Sequence, residues 1–321
     1  MVNSITAPIQ GYIDAFERRL TEVLTSDVFT VQHMGDHLQA NRGKRFRPAL
    51  ALLTAQAVGT CTDEVIDAAV AIEIIQTATL VHDDVLDSAD TRRGAEVLHQ
   101  IWGNRAAVLM GDFLLAKALQ VLVGIGSLEV MKATTRATQF IIEGEILETE
   151  NEGNAEATAY FTMIGKKTAS LMALACEVGA ILGKGSPEEI SHMARFGTQF
   201  GVAFQITDDL LDFIGDEATL GKPVGMDIRD GKLTLPLIRA LNNCPNGEAD
   251  KIQNKVLSGV RTDQDLQEIL TFIRRYQGIE AAKKEAHAYA QSALASLDTL
   301  KTSDARDALT LAVQHLVGRD R

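Results

Sequence analysis

Proline is scarce in this chain of 321 residues: there are 6, and none lies between Pro48 and Pro187. Strand-rich proteins need turn residues often, so a proline-free stretch of that length favours helices. Aromatic residues make up only 5 %, which also weighs against extensive sheet. The 3 cysteines, Cys61, Cys176 and Cys244, are far apart, odd in number and form no CxxC pair. A reducing compartment, the cytoplasm, is therefore expected. The first ten residues lack a charged segment followed by an apolar core, so no secretory signal is read there. Positive charge is also short, with 31 Lys and Arg against 43 Asp and Glu and a net charge of −12. That balance argues against a general basic surface for nucleic acid. An anionic ligand must instead be met by locally clustered Lys and Arg or by a bridging cation. The apolar run over 106–126 is broken by Asp112, Lys117 and Gln120 and reads as a buried helix, not a membrane span.

What is present is helical spacing. Apolar residues recur at helical intervals over 65–86, 106–123, 130–150, 155–182 and 187–214. Several of these segments are apolar on more than one face, as in the middle of a large bundle. Ser186-Pro187-Glu188-Glu189 carries an N-cap Ser, a first-turn Pro and a Glu three residues after the cap. Thr262-Asp263-Gln264-Asp265 is a second acidic capping pattern. Glycines at 124, 126, 183, 185 and 215 mark helix ends. Length alone allows about two domains. No Pro/Ser linker divides the chain, however, so one all-α domain over 1–321 is expected. Two loops stand out: SADTRRG at 88–94 and the Gly-rich, charged stretch 215–231, a length that in compact proteins is often functional.

Chemistry concentrates at two helix ends. Residues 83–87 read DDVLD and residues 208–212 read DDLLD. Asp83 and Asp87 share a helix face, as do Asp208 and Asp212. Carboxylates at a helix C-terminus oppose the helix dipole and repel one another, which a cation would relieve. Oxygen-only ligands suit Mg²⁺, which takes one or two carboxylates and completes its shell with water and phosphate oxygens. Asp84 and Asp209 stand beside these pairs as further candidate ligands. The complementary half is basic: Lys44, Arg45 and Arg47 in GKRFRP, Arg92-Arg93, Lys166-Lys167, and Lys222 and Lys232 in and beside the long loop. Each alone would pass for a surface charge. Their joint occurrence beside paired carboxylates in an acidic chain describes a site for Mg²⁺ and two diphosphate groups. On the helix leading to Asp83, Ala78 and Thr79 are small and lie roughly 6–8 Å below the carboxylates, at about 1.5 Å per residue. They leave room for something long and apolar.

These residues resemble the trans-isoprenyl (polyprenyl) diphosphate synthases over essentially the whole chain. The motifs that carry the resemblance are GKRFRP (43–48), EIIQTATLVHDDVLDSADTRRG (73–94), GDFLLAKA (111–118), MIGKKTASL (163–171), FQITDDLLD (204–212) and GKPVGMDIRDGKLTLPL (221–237). The resemblance implies one helical bundle of the isoprenoid synthase type around a central apolar cavity, and a homodimer. It implies Mg²⁺-dependent condensation of isopentenyl diphosphate with an allylic diphosphate. Lys44, Arg47 and Arg93 match the contacts to isopentenyl diphosphate. Gln76 stands where many long-chain members have His, and His99 matches a family His whose neighbours here depart from the commonest pattern. Asp83, Asp87 and Asp208 match metal ligands, with Asp209 and Asp212 close by. Arg92, Lys167, Thr168, Gln205, Lys222 and Lys232 match the allylic diphosphate contacts, and Lys167 is also read as catalytic. In short-chain members a bulky residue near 78 and 79 floors the pocket, so Ala78 and Thr79 imply a lower floor and a longer product. About 20 residues of helix below the carboxylates correspond to roughly 30 Å of depth. A lipid-like product implies a peripheral membrane contact or partner enzyme for release. A class I terpene cyclase would lack GKRFRP and the second DDxxD, and a non-catalytic subunit would have lost carboxylates from one motif.

Overall fold

The computed structural model describes residues 2–214, 225–245, 247–260 and 262–318. It is helical almost throughout. Among the described residues the exception is a small antiparallel hairpin, Thr91–Arg92 against Ala95–Glu96, with Thr91 opposite Glu96. The first of the two expected loops is thus partly ordered as strand. Positive φ at Ser88, Arg93 and Gly94 turns the chain there.

The helices follow the apolar spacing closely: Asp63–Leu86, Asn104–Ile125, Leu128–Glu150 and Pro187–Ile214. Both capping patterns form. The Glu189 amide donates to Ser186 Oγ at 3.2 Å, and Glu189 accepts from the Ser186 amide at 2.7 Å. The Asp265 amide donates to Thr262 Oγ1 at 3.1 Å, while that hydroxyl donates to Asp265 Oδ2 at 2.6 Å. One expectation needs correcting. The segment 155–182 is not a continuous α-helix: Ala157–Ile164 and Ser170–Leu182 are joined by a π-helical turn, Gly165–Ala169. A π-turn admits one extra residue without breaking the apolar stripe on either side, so periodicity does not reveal it.

Packing divides the chain into two compact units. One comprises Met1–Thr138, Leu174–Ala194 and Thr299–Leu309; the other comprises Gln139–Ala173, Arg195–Asp298 and Thr310–Arg321. In the first unit the Asp63–Leu86 helix is the core element. Its residues Val65, Ala68, Ala69, Val70 and Ala71 are all fully buried. It runs along Asn104–Ile125 and touches Phe46–Val58 and Gln10–Val23. The chain packs tightly at Gly111, where a Cβ would lie 2.1 Å from the His82 ring, so no other residue fits without moving His82. In the second unit Leu235–Asn243 packs against Gly278–Leu297 and Asp263–Arg275, around Leu237, Ile238, Ile269, Phe272 and Ile273.

Candidate active site

In the first unit the Asp63–Leu86 helix delivers its carboxylates at its C-terminal end. Asp83 is half-buried and Asp87, the C-cap residue, is exposed. Asp84 is buried and accepts from Arg92 Nε at 2.7 Å. Burial raises the Asp84 carboxyl above the ordinary range, against the opposing pull of Arg92. The hairpin after the helix is what returns Arg92 to it.

The cations of this unit collect around one acid. Arg45 sits in the left-handed region at φ 54°, a strained conformation for a non-glycine residue. Its guanidinium reaches Glu73 at 2.6 Å and Glu17 at 3.1 Å. Arg47 is partly buried, and its Nε is sealed from solvent with no hydrogen-bond partner. Burial lowers the Arg47 guanidinium to about 10, with Arg93 adding to the drop and Glu73 resisting it. Arg93 lies over Gly43, where a Cβ would come within 2.6 Å of its guanidinium, and donates to the Asn41 carbonyl at 3.3 Å. Lys44 is exposed on the same loop. Arg47 and Arg93 are therefore brought together beside Glu73, and Lys44 precedes Arg47 by three residues. A sealed N–H without a partner costs free energy that an acceptor would recover. Gln76 is half-buried, and its carbonyl accepts the Thr79 hydroxyl at 2.9 Å. Ala78 is fully buried and Thr79 half-buried. His99 is half-buried near Asp84, with Nδ1 sealed and unpartnered.

In the second unit Asp208 is exposed, and its two companions are not. Asp209 is buried between Tyr160, whose hydroxyl donates at 2.6 Å, and Gln205, whose amide donates at 2.8 Å. Burial pushes the Asp209 carboxyl up to about 7, although both hydrogen bonds pull the other way. Asp212 is 1 % exposed and accepts the backbone amides of Met226, at 3.3 Å, and Asp227, at 3.0 Å. Thr168 donates to Gln205 Oε1 at 2.8 Å, so Thr168, Gln205, Asp209 and Tyr160 form one chain of hydrogen bonds. Lys167, on the π-turn, pairs with Glu145 at 2.7 Å and with Glu148, which Lys232 also reaches at 3.2 Å. Lys166 turns elsewhere, to Glu143 and the face of Phe140. Lys222 lies outside the described residues.

The donor set fits a hard divalent cation bound through few protein oxygens. Among the described residues no group of three or more His, Cys, Asp or Glu forms a closed cage. An ion held by one or two carboxylates and completed by phosphate oxygens needs none. In the first unit Asp87 is exposed and Asp83 half-buried, and in the second Asp208 is exposed. Sequence reading missed Glu73, Glu145, Glu148 and Tyr160. Glu73 alone had a visible signal, as a lone acid inside an apolar helical stretch.

The class of protein follows from the fold. The structure matches the crystal structure of a polyprenyl synthase from Caulobacter crescentus CB15, complexed with calcium and isoprenyl diphosphate, with a TM-score of 0.93 at 32% identity over 100% of this chain and 98% of that one. It matches a decaprenyl diphosphate synthase from Rhodobacter capsulatus equally well, with a TM-score of 0.93 at 31% identity over 100% of both chains. Residues 29–273 match the polyprenyl synthetase family, and the chain belongs to it as a prenyltransferase of the polyprenyl diphosphate synthase kind. Octaprenyl diphosphate synthase of Escherichia coli (strain K12) is 36% identical over 322 residues, 100% of this chain and 98% of its own. A short chain isoprenyl diphosphate synthase of Methanothermobacter thermautotrophicus is also 36% identical, over 97% and 98%. Equal identity to enzymes named for different products leaves product length to the residues themselves.

Proposed function

We propose that the protein is a long-chain trans-polyprenyl diphosphate synthase that adds isopentenyl diphosphate repeatedly to farnesyl diphosphate and ends at octaprenyl diphosphate, for the side chain of ubiquinone. The observation that carries the reading is the accessible first aspartate of each motif, Asp83 and Asp208, at the end of its helix. In the first unit Asp83 and Asp87 would hold Mg²⁺, with Asp84 behind them; in the second Asp208 would do so, with Asp209 and Asp212 behind it. Bound there, it would supply charge stabilisation for a diphosphate leaving group.

The protein's own groups account for the remaining steps. Lys167, Lys232, Arg92 and Lys222 would hold the allylic diphosphate, with Thr168 and Gln205 supporting it. As the allylic C–O bond breaks, the electron pair leaves with the diphosphate, and fixed cations lower the barrier where that charge develops. Lys44, Arg47 and Arg93, with Gln76 and His99, would hold isopentenyl diphosphate so that its double bond faces the allylic cation. Arg47 is suited to this because its Nε is buried without a hydrogen-bond partner that an anion would supply. Aliphatic walls around the substrate would exclude the water that quenches the cation. The double bond forms the new C–C bond, and a proton then leaves, to the departing diphosphate.

Small residues at Ala78 and Thr79 support a long product. Heptaprenyl, nonaprenyl or geranylgeranyl products, or a non-catalytic subunit of a heteromeric enzyme, are the competing outcomes. A homodimer is supported by the exposed apolar face of Asn104–Ile125, with Leu109, Leu119 and Val123 between 51% and 69% exposed. Leu119 and Val123, with Phe113, Ala116 and Lys117, line a groove of about 540 Å³ there. We place the enzyme in the cytoplasm, with a peripheral membrane contact for release of its lipid-like product.

One incubation tests the central reading. The protein is mixed with Mg²⁺, farnesyl diphosphate and labelled isopentenyl diphosphate, and the dephosphorylated products are sized. A ladder ending at the eight-unit alcohol is expected; another endpoint replaces the product, and no incorporation moves the reading to the subunit. Sedimentation as a monomer would remove the homodimer.

A further inference from the structure

Two of the lysines assigned to the allylic diphosphate already hold a carboxylate. Glu148 accepts from Lys167 Nζ through one oxygen and from Lys232 Nζ, at 3.2 Å, through the other. Lys167 also reaches Glu145 at 2.7 Å. Glu145 and Glu148 are three residues apart and so share a face of the Leu128–Glu150 helix. The helix comes close because residue 144 is glycine: a Cβ there would lie 2.4 Å from the Lys167 backbone nitrogen. The π-turn presents Lys167 at that contact.

One carboxylate bridging two ammonium groups reproduces what a phosphate group would do between them. Two lysines and two glutamates carry no net charge, so the cluster meets an incoming anion as a neutral surface. Burial by itself would raise the Glu148 carboxyl, but Lys232 and Lys167 bring it below the ordinary range. Lys167 is half-buried too, yet Glu148 and Glu145 hold it above the ordinary lysine range. Glu148 and Lys167 are thus both ionised at neutral pH.

We propose that Glu148 is a built-in stand-in for diphosphate: it bridges Lys167 and Lys232 before substrate arrives, and diphosphate binds by displacing it. The inference rests on the assignment of both lysines as diphosphate contacts. Glu148 is a positioning residue in this account. It keeps two like charges together that would otherwise repel, and it keeps the affinity for bare inorganic diphosphate low. That matters for an enzyme that releases one diphosphate for every unit it adds, because retained diphosphate would block the next round.

The test is calorimetric titration of the full chain with inorganic diphosphate, without divalent metal. Glu148→Gln removes one negative charge from the cluster and should tighten binding on the order of tenfold. Glu148→Asp keeps the charge but shortens its reach, and should fall between wild type and Glu148→Gln. Glu280→Gln, which removes an exposed carboxylate elsewhere in the same unit, should bind as wild type does. Thermal melting checks that each variant folds, and Glu148→Asp carries the comparison if Glu148→Gln does not. Unchanged or weaker binding in the Glu148 variants, with binding lost in Lys167→Ala, overturns the stand-in while the lysine assignment stands. Equal tightening in Glu280→Gln overturns it as a general charge effect. Undiminished binding in Lys167→Ala removes the lysine assignment and the inference with it.

Discussion

The two aspartate motifs share a spacing and differ in what surrounds them. In the first, Asp84 alone is buried, and it is neutralised by a cation, Arg92. In the second, Asp209 and Asp212 are both buried; a phenol and an amide donate to Asp209, and two backbone N–H groups donate to Asp212. A cation beside a buried carboxylate offsets desolvation by charge, whereas neutral donors offset it only by hydrogen bonding. That is why the Asp209 carboxyl rises as far as about 7. The comparison teaches that DDxxD is not one device. Its first position is half-buried in one unit and exposed in the other, its middle position is anchored in both, and its last position is exposed in one and structural in the other.

The largest effects should come from the position the motifs share. Asp83→Ala and Asp208→Ala should each cut Mg²⁺-dependent turnover by on the order of 10²–10³-fold or more, the scale of a lost charge-stabilising group. Melting temperatures should move little, least at Asp208, which is exposed, while Asp83 is only half-buried. Incorporation of labelled isopentenyl diphosphate reads the first quantity, and full activity in either variant would break the parallel between the motifs.

Stability should separate the anchors. Tyr160→Phe leaves a buried carboxylate short of one donor and should cost about 1–3 kcal/mol. Arg92→Ala breaks an ion pair whose cationic side chain is 38% exposed, so screening should hold the stability loss to about 1 kcal/mol or less. Urea denaturation of both variants gives the two numbers. A larger loss at Arg92 than at Tyr160 would reverse the account of how each middle aspartate is held.

Much of this was legible in the sequence, for identifiable reasons. Long helices announce themselves by apolar spacing, and Ser186–Glu189 and Thr262–Asp265 by cap chemistry confined to four residues. The grouping of Lys167, Thr168 and Gln205 in one unit followed from the resemblance. The anchors were not legible, because their partners are distant in the chain: Tyr160 lies 49 residues from Asp209, and Glu148 lies 84 from Lys232. A lone Tyr or Glu on a helix carries no mark of the group it will meet. The π-turn was hidden for another reason, since Gly165 reads as an ordinary tolerated helix glycine and the stripe resumes beyond it.

The smallest effects should come from the last aspartate of each motif, where the contrast is sharpest. Asp212 receives two backbone amides through different oxygens. Asn at that position keeps one acceptor and turns an NH₂ toward the other amide, so Asp212→Asn should cost about 1 kcal/mol. Asp87 is exposed at a helix C-terminus, where negative charge is unfavourable, so Asp87→Asn should stay within about ±0.5 kcal/mol and can be slightly stabilising. Turnover should respond in the opposite order, falling more in Asp87→Asn, whose carboxylate is accessible to a cation, than in Asp212→Asn, whose oxygens hold the chain at 226 and 227. Measuring unfolding free energy and turnover on the same two proteins decides it. If Asp212→Asn loses the more activity and keeps its stability, its carboxylate serves the metal and the backbone contacts are incidental.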